Sequence, residues 1–177
     1  WHGLIANIFC GYLLILTGML FNRETMSIST LLLQSFIYCL PFMLAYSSIV
    51  LLANVPDENG DKDSSKNTFT VIYGVKTTVS LSTLFCLLSF LLGMYINEPL
   101  SSISSLSALP FFLFAFFRGK NKDIIRAIRY PIFLLHFYLF TVYPLLFFPI
   151  VAFYYLSKYY YWHRFNLHYP TLLVEND

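Results

Sequence analysis

Residues 28–53 run without a single charged side chain, and four more stretches of this chain are nearly as apolar. About 20 consecutive apolar residues suffice to cross the hydrocarbon core of a bilayer, so runs of this length leave few folds open. The spans are expected at about 3–21, 28–53, 70–96, 101–117 and 130–157. Only 11% of the 177 residues are charged, against about a quarter in water-soluble domains, while 58% are hydrophobic. That much apolar side chain excludes intrinsic disorder. Eleven basic against nine acidic residues leave no basic footprint for nucleic acid. Cys10, Cys39 and Cys86 are odd in number and lie inside apolar runs, so they read as small hydrophobes rather than a disulfide framework or metal cluster. The expected fold class is an all-α polytopic membrane helix bundle of about five transmembrane helices, forming one transmembrane domain.

Separators between the spans set the topology. Asn22 to Thr25 divides the first two, Asn54 to Thr68 the second and third, Asn97 to Pro99 the third and fourth, and Arg118 to Arg129 the last two. Pro131, Pro144 and Pro149 predict a kink or break in the long final span. Ser101 to Ser107 makes the fourth span the least apolar. An odd number of spans places the termini on opposite sides. The segments 54–76 and 118–129 then share a side, and they hold Lys62, Lys66, Lys76, Arg118, Lys120, Lys122, Arg126 and Arg129. By the positive-inside rule the 54–68 loop is expected to face the cytoplasm. Tyr159, Tyr160, Tyr161 and Trp162 read as an interfacial aromatic belt.

The polar segment Asn54 to Thr68 carries the chemistry. Four of the nine acidic residues fall at positions 57–63, beside two membrane spans, where ionisable groups mark functional sites. Asp57 and Asp61 are four apart, so helical winding would bring both carboxylates to one face. Hard oxygen ligands favour Mg²⁺, whose coordination is commonly completed by water and substrate phosphate. Lys62 and Lys66, also four apart, would meet phosphate oxygens as point charges. A solvated connection between spans is the plain alternative. An EF-hand fits Asp57, Asn59 and Asp61 but fails where Lys62 replaces the required glycine and Thr68 the required glutamate.

Residues 54–74 read N-V-P-D-E-N-G-D-K-D-S-S-K-N-T-F-T-V-I-Y-G. This stretch resembles the second aspartate-rich motif of the UbiA superfamily of intramembrane prenyltransferases, D-x-P-D-x-x-G-D-K-x-x-G-K-x-T followed by V-x-x-G. Asp57, Gly60, Asp61, Lys62, Lys66, Thr68, Val71 and Gly74 fall on that pattern, whereas Asn54 and Ser65 stand where an aspartate and a glycine are common. The resemblance implies the C-terminal half of a nine-helix fold. It also implies Mg²⁺-dependent transfer of a polyprenyl group from its diphosphate to an aromatic or other lipid-precursor acceptor, of the quinone, chlorin or tocopherol type. Asp57 and Asp61 would hold the metal and act catalytically, and Lys62, Lys66 and Asn54 would bind the diphosphate. The family's first motif, N-D-x-x-D-x-x-x-D, has no counterpart here. The chain is therefore expected to be a C-terminal piece or a degenerate half-length relative; Trp1 in place of an initiating methionine favours the piece, expected to be inactive alone. A transporter or non-catalytic scaffold with a cation-binding acidic loop is the competing expectation.

Other residues have plainer readings. His136, in the last span, is expected to pack with a hydrogen-bond partner, and His163 and His168 to be interfacial. Tyr38, Tyr46 and Tyr73 flank the motif and would suit a developing carbocation through cation–π contact.

Overall fold

The computed structural model describes residues 2–21 and 27–167. Among these residues the secondary structure is helical throughout, with no strand. Long helices run over His2–Phe21 (α1), Ile28–Ala53 (α2), Val75–Ile96 (α5), Pro99–Arg118 (α6), Asn121–Val142 (α7) and Phe147–Phe165 (α8). Two short ones, Glu58–Asp63 (α3) and Phe69–Tyr73 (α4), lie between α2 and α5. Helices α2, α5, α6 and α7 are each long and apolar enough to cross a membrane, and α1 adds a shorter apolar section, Ile8–Phe21. The chain is an all-α, multi-pass membrane bundle.

Local chemistry sets the helix ends. Ser27 caps α2 by accepting the Thr30 N–H at 3.3 Å. Glu98 caps α6 by accepting from the Leu100 N–H at 3.2 Å, with Pro99 in the first turn, where its missing donor costs nothing. Asn97 and Gly119 end α5 and α6 in the left-handed conformation, at φ 60° each.

Two of the expected spans are divided. The 70–96 stretch breaks at Gly74, whose φ of 82° and ψ of 161° lie in a region almost closed to other residues, so α4 and α5 meet there at a corner. The 130–157 stretch breaks at Tyr143, because Pro144 lacks an N–H and disfavours helix in the residue before it. A 3-10 turn, Pro144–Leu146, leads into α8. Pro131 is carried through inside α7, and Pro149 falls in the first turn of α8, where it is tolerated. Helix α7 also begins at Asn121, nine residues before the expected span, so Asp123 to Arg129 are helical rather than connecting loop.

Small residues hold the bundle together. The inner face of α5 is Ser82, Cys86, Ser89 and Gly93, and α6 opposes it with Ser101, Ser102, Ser105 and Ala108, all buried. Lipid tails are as apolar as leucine, so helices in a membrane associate through close packing and interhelical hydrogen bonds. The Ser89 hydroxyl donates to the Pro41 carbonyl of α2 at 2.8 Å and lies 2.7 Å from the Ser105 hydroxyl of α6, joining three helices. Large side chains such as Leu84, Leu91, Ile103 and Phe114 point outward.

At one end of the bundle, Leu52 and Val55 pack with Val79, Phe112, Ala115, Ile124 and Ala127 in one buried cluster. That cluster joins the end of α2 to the start of α7. The polar segments 54–68 and 118–129 therefore emerge at the same end, as counting spans requires.

Candidate functional site

Pro56 cannot extend α2, so the chain turns after Asn54. Buried Val55 anchors the turn, and Glu58 donates to the Val55 carbonyl at 3.3 Å to begin α3. The Asp61 N–H then reaches the Asp57 carbonyl at 2.9 Å. Asp57 and Asp61 are thus one helical turn apart, the arrangement that puts two side chains on one face. Their environments differ. Asp61 is tucked against the bundle, its side chain 13% exposed, whereas Asp57 is exposed and makes no capping hydrogen bond.

Helix α3 ends in a Schellman motif. The Lys66 N–H bonds to the Asp61 carbonyl at 2.8 Å and the Ser65 N–H to the Lys62 carbonyl at 3.1 Å, with Ser65 at φ 56°. This closure returns Lys66 to Asp61, where Nζ stands 3.7 Å from Oδ1. Ser65 is the position at which the family pattern carries glycine, and its backbone takes the conformation glycine favours. Gly74, the last glycine of that pattern, forms the corner into α5, where its carbonyl accepts the Thr78 hydroxyl at 2.9 Å.

Of the five residues singled out from sequence, the fold brings Asp61 and Lys66 together. Lys62 turns to Glu58, with Nζ 2.7 Å from Oε1 on the neighbouring face of α3. Asn54 spends its amide nitrogen on the Val50 carbonyl at 3.2 Å, capping α2. The Thr68 hydroxyl is buried and hydrogen-bonds to no group among the described residues. Nothing stands within 4 Å of where a Cβ on Gly60 would sit, so α3 has open space beside Gly60.

Among the described residues no group of three or more His, Cys, Asp or Glu side chains comes together as a metal cage. A divalent ion on α3 would take at most two carboxylates from the described residues. The rest of its shell would be water and phosphate, the hydrated coordination that Mg²⁺ prefers.

Below this end lies an apolar cavity of about 440 Å³ between α1, α2, α6 and α7. Phe42, Tyr46 and Ile49 of α2, Ala108 and Phe112 of α6, and Ile132 of α7 line it. Ile49 precedes Asn54 by five residues, a rise of about 7.5 Å along a helix. Tyr46 thus faces the cavity, while Tyr73 stacks on Phe69 at 4.7 Å and Tyr38 is exposed on α2. His136 is bound within its own helix, with Nδ1 2.7 Å from the Ile132 carbonyl oxygen. His163 lies 5.6 Å from Tyr159 in α8, and His168 is outside the described residues.

A second charged cluster occupies the α6–α7 turn. Asp123, in the first turn of α7, is 3% exposed, with Arg118 Nε 3.2 Å from Oδ2 and Arg126 Nη1 3.5 Å from Oδ1. Sequence reasoning weighed the basic residues here and passed over the acid. Its signal in the sequence was a lone Asp among five basic residues in 118–129; that it lies in the first turn of α7, where a carboxylate meets the positive end of the dipole, is visible only in the structure. Comparison with protein-family models, curated proteins and solved structures finds no match for this chain.

Proposed function

We propose that this chain supplies one side of the active site of a Mg²⁺-dependent, UbiA-type prenyltransferase. One observation carries the reading: Asp61 is buried at the bundle end, one turn from Asp57, and a Schellman closure presents Lys66 to it at 3.7 Å. A solvated connection has no need to bury a carboxylate or to spend a strained Ser65 on returning a lysine to it.

Asp57 and Asp61 would hold the metal, which when bound supplies Lewis-acid neutralisation of charge on a leaving diphosphate. Lys66 adds a positive charge on the same face, and it is 67% exposed, free to swing from Asp61 to a phosphate oxygen. Asn54 offers its carbonyl arm at the end of α2. Lys62 would first have to leave Glu58. The cavity beneath would receive the isoprenoid chain, and its volume falls in the range of small-molecule pockets. Its walls exclude water from the allylic carbon, and Tyr46 presents a π face to positive charge developing there. The acceptor is an aromatic or other lipid precursor. With eight of the eleven basic residues at the motif's end of the bundle, that end faces the cytoplasm in this reading.

The exposure of Asp57 and the Lys62–Glu58 pair favour the second reading, a non-catalytic loop that binds cations. Binding of an allylic diphosphate to the purified protein, with and without Mg²⁺, separates the two. Prenyl transfer requires Mg²⁺-dependent binding that Asp57→Asn with Asp61→Asn abolishes. Binding of Mg²⁺ with no affinity for the diphosphate would leave only the cation-binding loop.

A further inference from the structure

The α6–α7 turn carries a charged cluster of its own, apart in sequence from the aspartate motif. Asp123 is almost wholly buried, and its Oδ2 receives no hydrogen bond among the described residues although Arg118 Nε stands 3.2 Å away. Arg126 approaches the other oxygen at 3.5 Å. Both arginine side chains stay partly open to the outside, 46% and 40% exposed. Between them lies a pocket of about 250 Å³, lined by Asp123 along with the arginines and walled by Phe111, Phe114 and Tyr130.

Topogenic positive charge explains arginines at a helix end, but it does not explain a buried acid among them. Burying a carboxylate is costly unless it is paired, and here the pairing fixes two arginines on one pocket. Guanidinium groups bind phosphate through parallel N–H donors, so two of them in fixed positions form an oxyanion receptor. The pocket's other wall is apolar. Phe114 and Phe117 are exposed on the outer face of a membrane-spanning helix, beside the arginines. A ligand that fits both walls carries a phosphate and a hydrocarbon chain, and the bilayer provides one at this depth.

We propose that the turn binds the headgroup of one anionic phospholipid, with Arg118 and Arg126 on the phosphate and an acyl chain along Phe111 and Phe114. Asp123 is a positioning residue. The site stands whether or not the protein transfers prenyl groups.

The test uses the whole chain purified in mild detergent. Phosphatidylglycerol, phosphatidylcholine of the same chains, and inorganic phosphate are each added, and native mass spectrometry counts bound molecules. One phosphatidylglycerol should be retained in preference to phosphatidylcholine. Arg126→Gln should weaken retention about tenfold, the loss of one charge-assisted contact. Asp123→Asn should weaken it as well, although it raises the net charge by one. Diffuse attraction to basic residues predicts the opposite sign, so stronger retention in Asp123→Asn would overturn the proposal. Equal retention of phosphatidylcholine would overturn it too, as would inorganic phosphate competing at the lipid's own concentration. Should Asp123→Asn fail to fold, Arg126→Gln decides alone, since Asp123 keeps Arg118 in that variant; undiminished retention there refutes the site.

Discussion

Asp61→Asn separates a structural carboxylate from a functional one, because the fold bounds what the charge contributes to stability. Its one ion pair among the described residues, to Lys66, spans 3.7 Å and involves a lysine side chain that is 67% exposed. Pairs of that kind contribute under about 1 kcal/mol. Asparagine keeps the shape, and a neutral amide is easier to bury than a carboxylate. The thermal midpoint in detergent should therefore move by no more than about 2–4 °C, the shift expected of 1 kcal/mol in a chain of this size. Loss of a group that stabilises transition-state charge costs far more, about a hundredfold or greater in turnover, or about 2.7 kcal/mol. Under the proposed function, the assay is transfer from a radiolabelled allylic diphosphate at saturating Mg²⁺, beside the melting curve of the same preparation. Turnover should collapse while the midpoint holds. A full rate with an unchanged midpoint would remove Asp61 from the site, and a midpoint lowered by tens of degrees would show that its role is to hold the fold.

Three further changes probe the scaffold. A methyl group on Gly93 would stand 2.6 Å from the Ser101 hydroxyl and 2.7 Å from that of Ser102, both of which donate to the Glu98 carbonyl. Gly93→Ala should thus destabilise the α5–α6 hairpin by about 1–2 kcal/mol despite alanine's better helix propensity, read from denaturant titration in micelles. Gly74→Ala forces a side chain into the corner at φ 82° and should cost about 1–3 kcal/mol by the same titration. Ser65→Gly relieves a left-handed serine and should stabilise by about 0.5–1 kcal/mol, net of the freedom glycine gains on unfolding. A loss of stability in Ser65→Gly would show that the serine side chain does something the Schellman closure does not explain.

What could be read from the amino acids, and what could not, divides along the range of the interactions. Membrane insertion depends on summed transfer free energy over a local window, so charge-free runs such as 28–53 pointed to four of the five expected spans in their order, while 3–21 yields only the shorter apolar section Ile8–Phe21. Local stereochemistry is equally legible. Pro144 announced the break before α8, and the 57–61 spacing matches one helical turn, closed by the Asp61 N–H on the Asp57 carbonyl. Boundaries were less so: the Gly74 corner and the early start of α7 depend on how α4, α5 and α7 pack, and an apolar window averages over both.

Pairing between charges was decided in three dimensions. From sequence, Lys62 and Lys66 are equivalent, yet one is spent on Glu58 and the other returned to Asp61, because a left-handed Ser65 reverses the chain between them. Asp123 looks like one more loop residue until α6 and α7 close over it and bring Arg118 and Arg126 to its two oxygens. Transfer into the membrane is a sum over residues and needs no neighbours. Burial of a particular carboxylate, and the choice of its partner, come only from which helix ends meet.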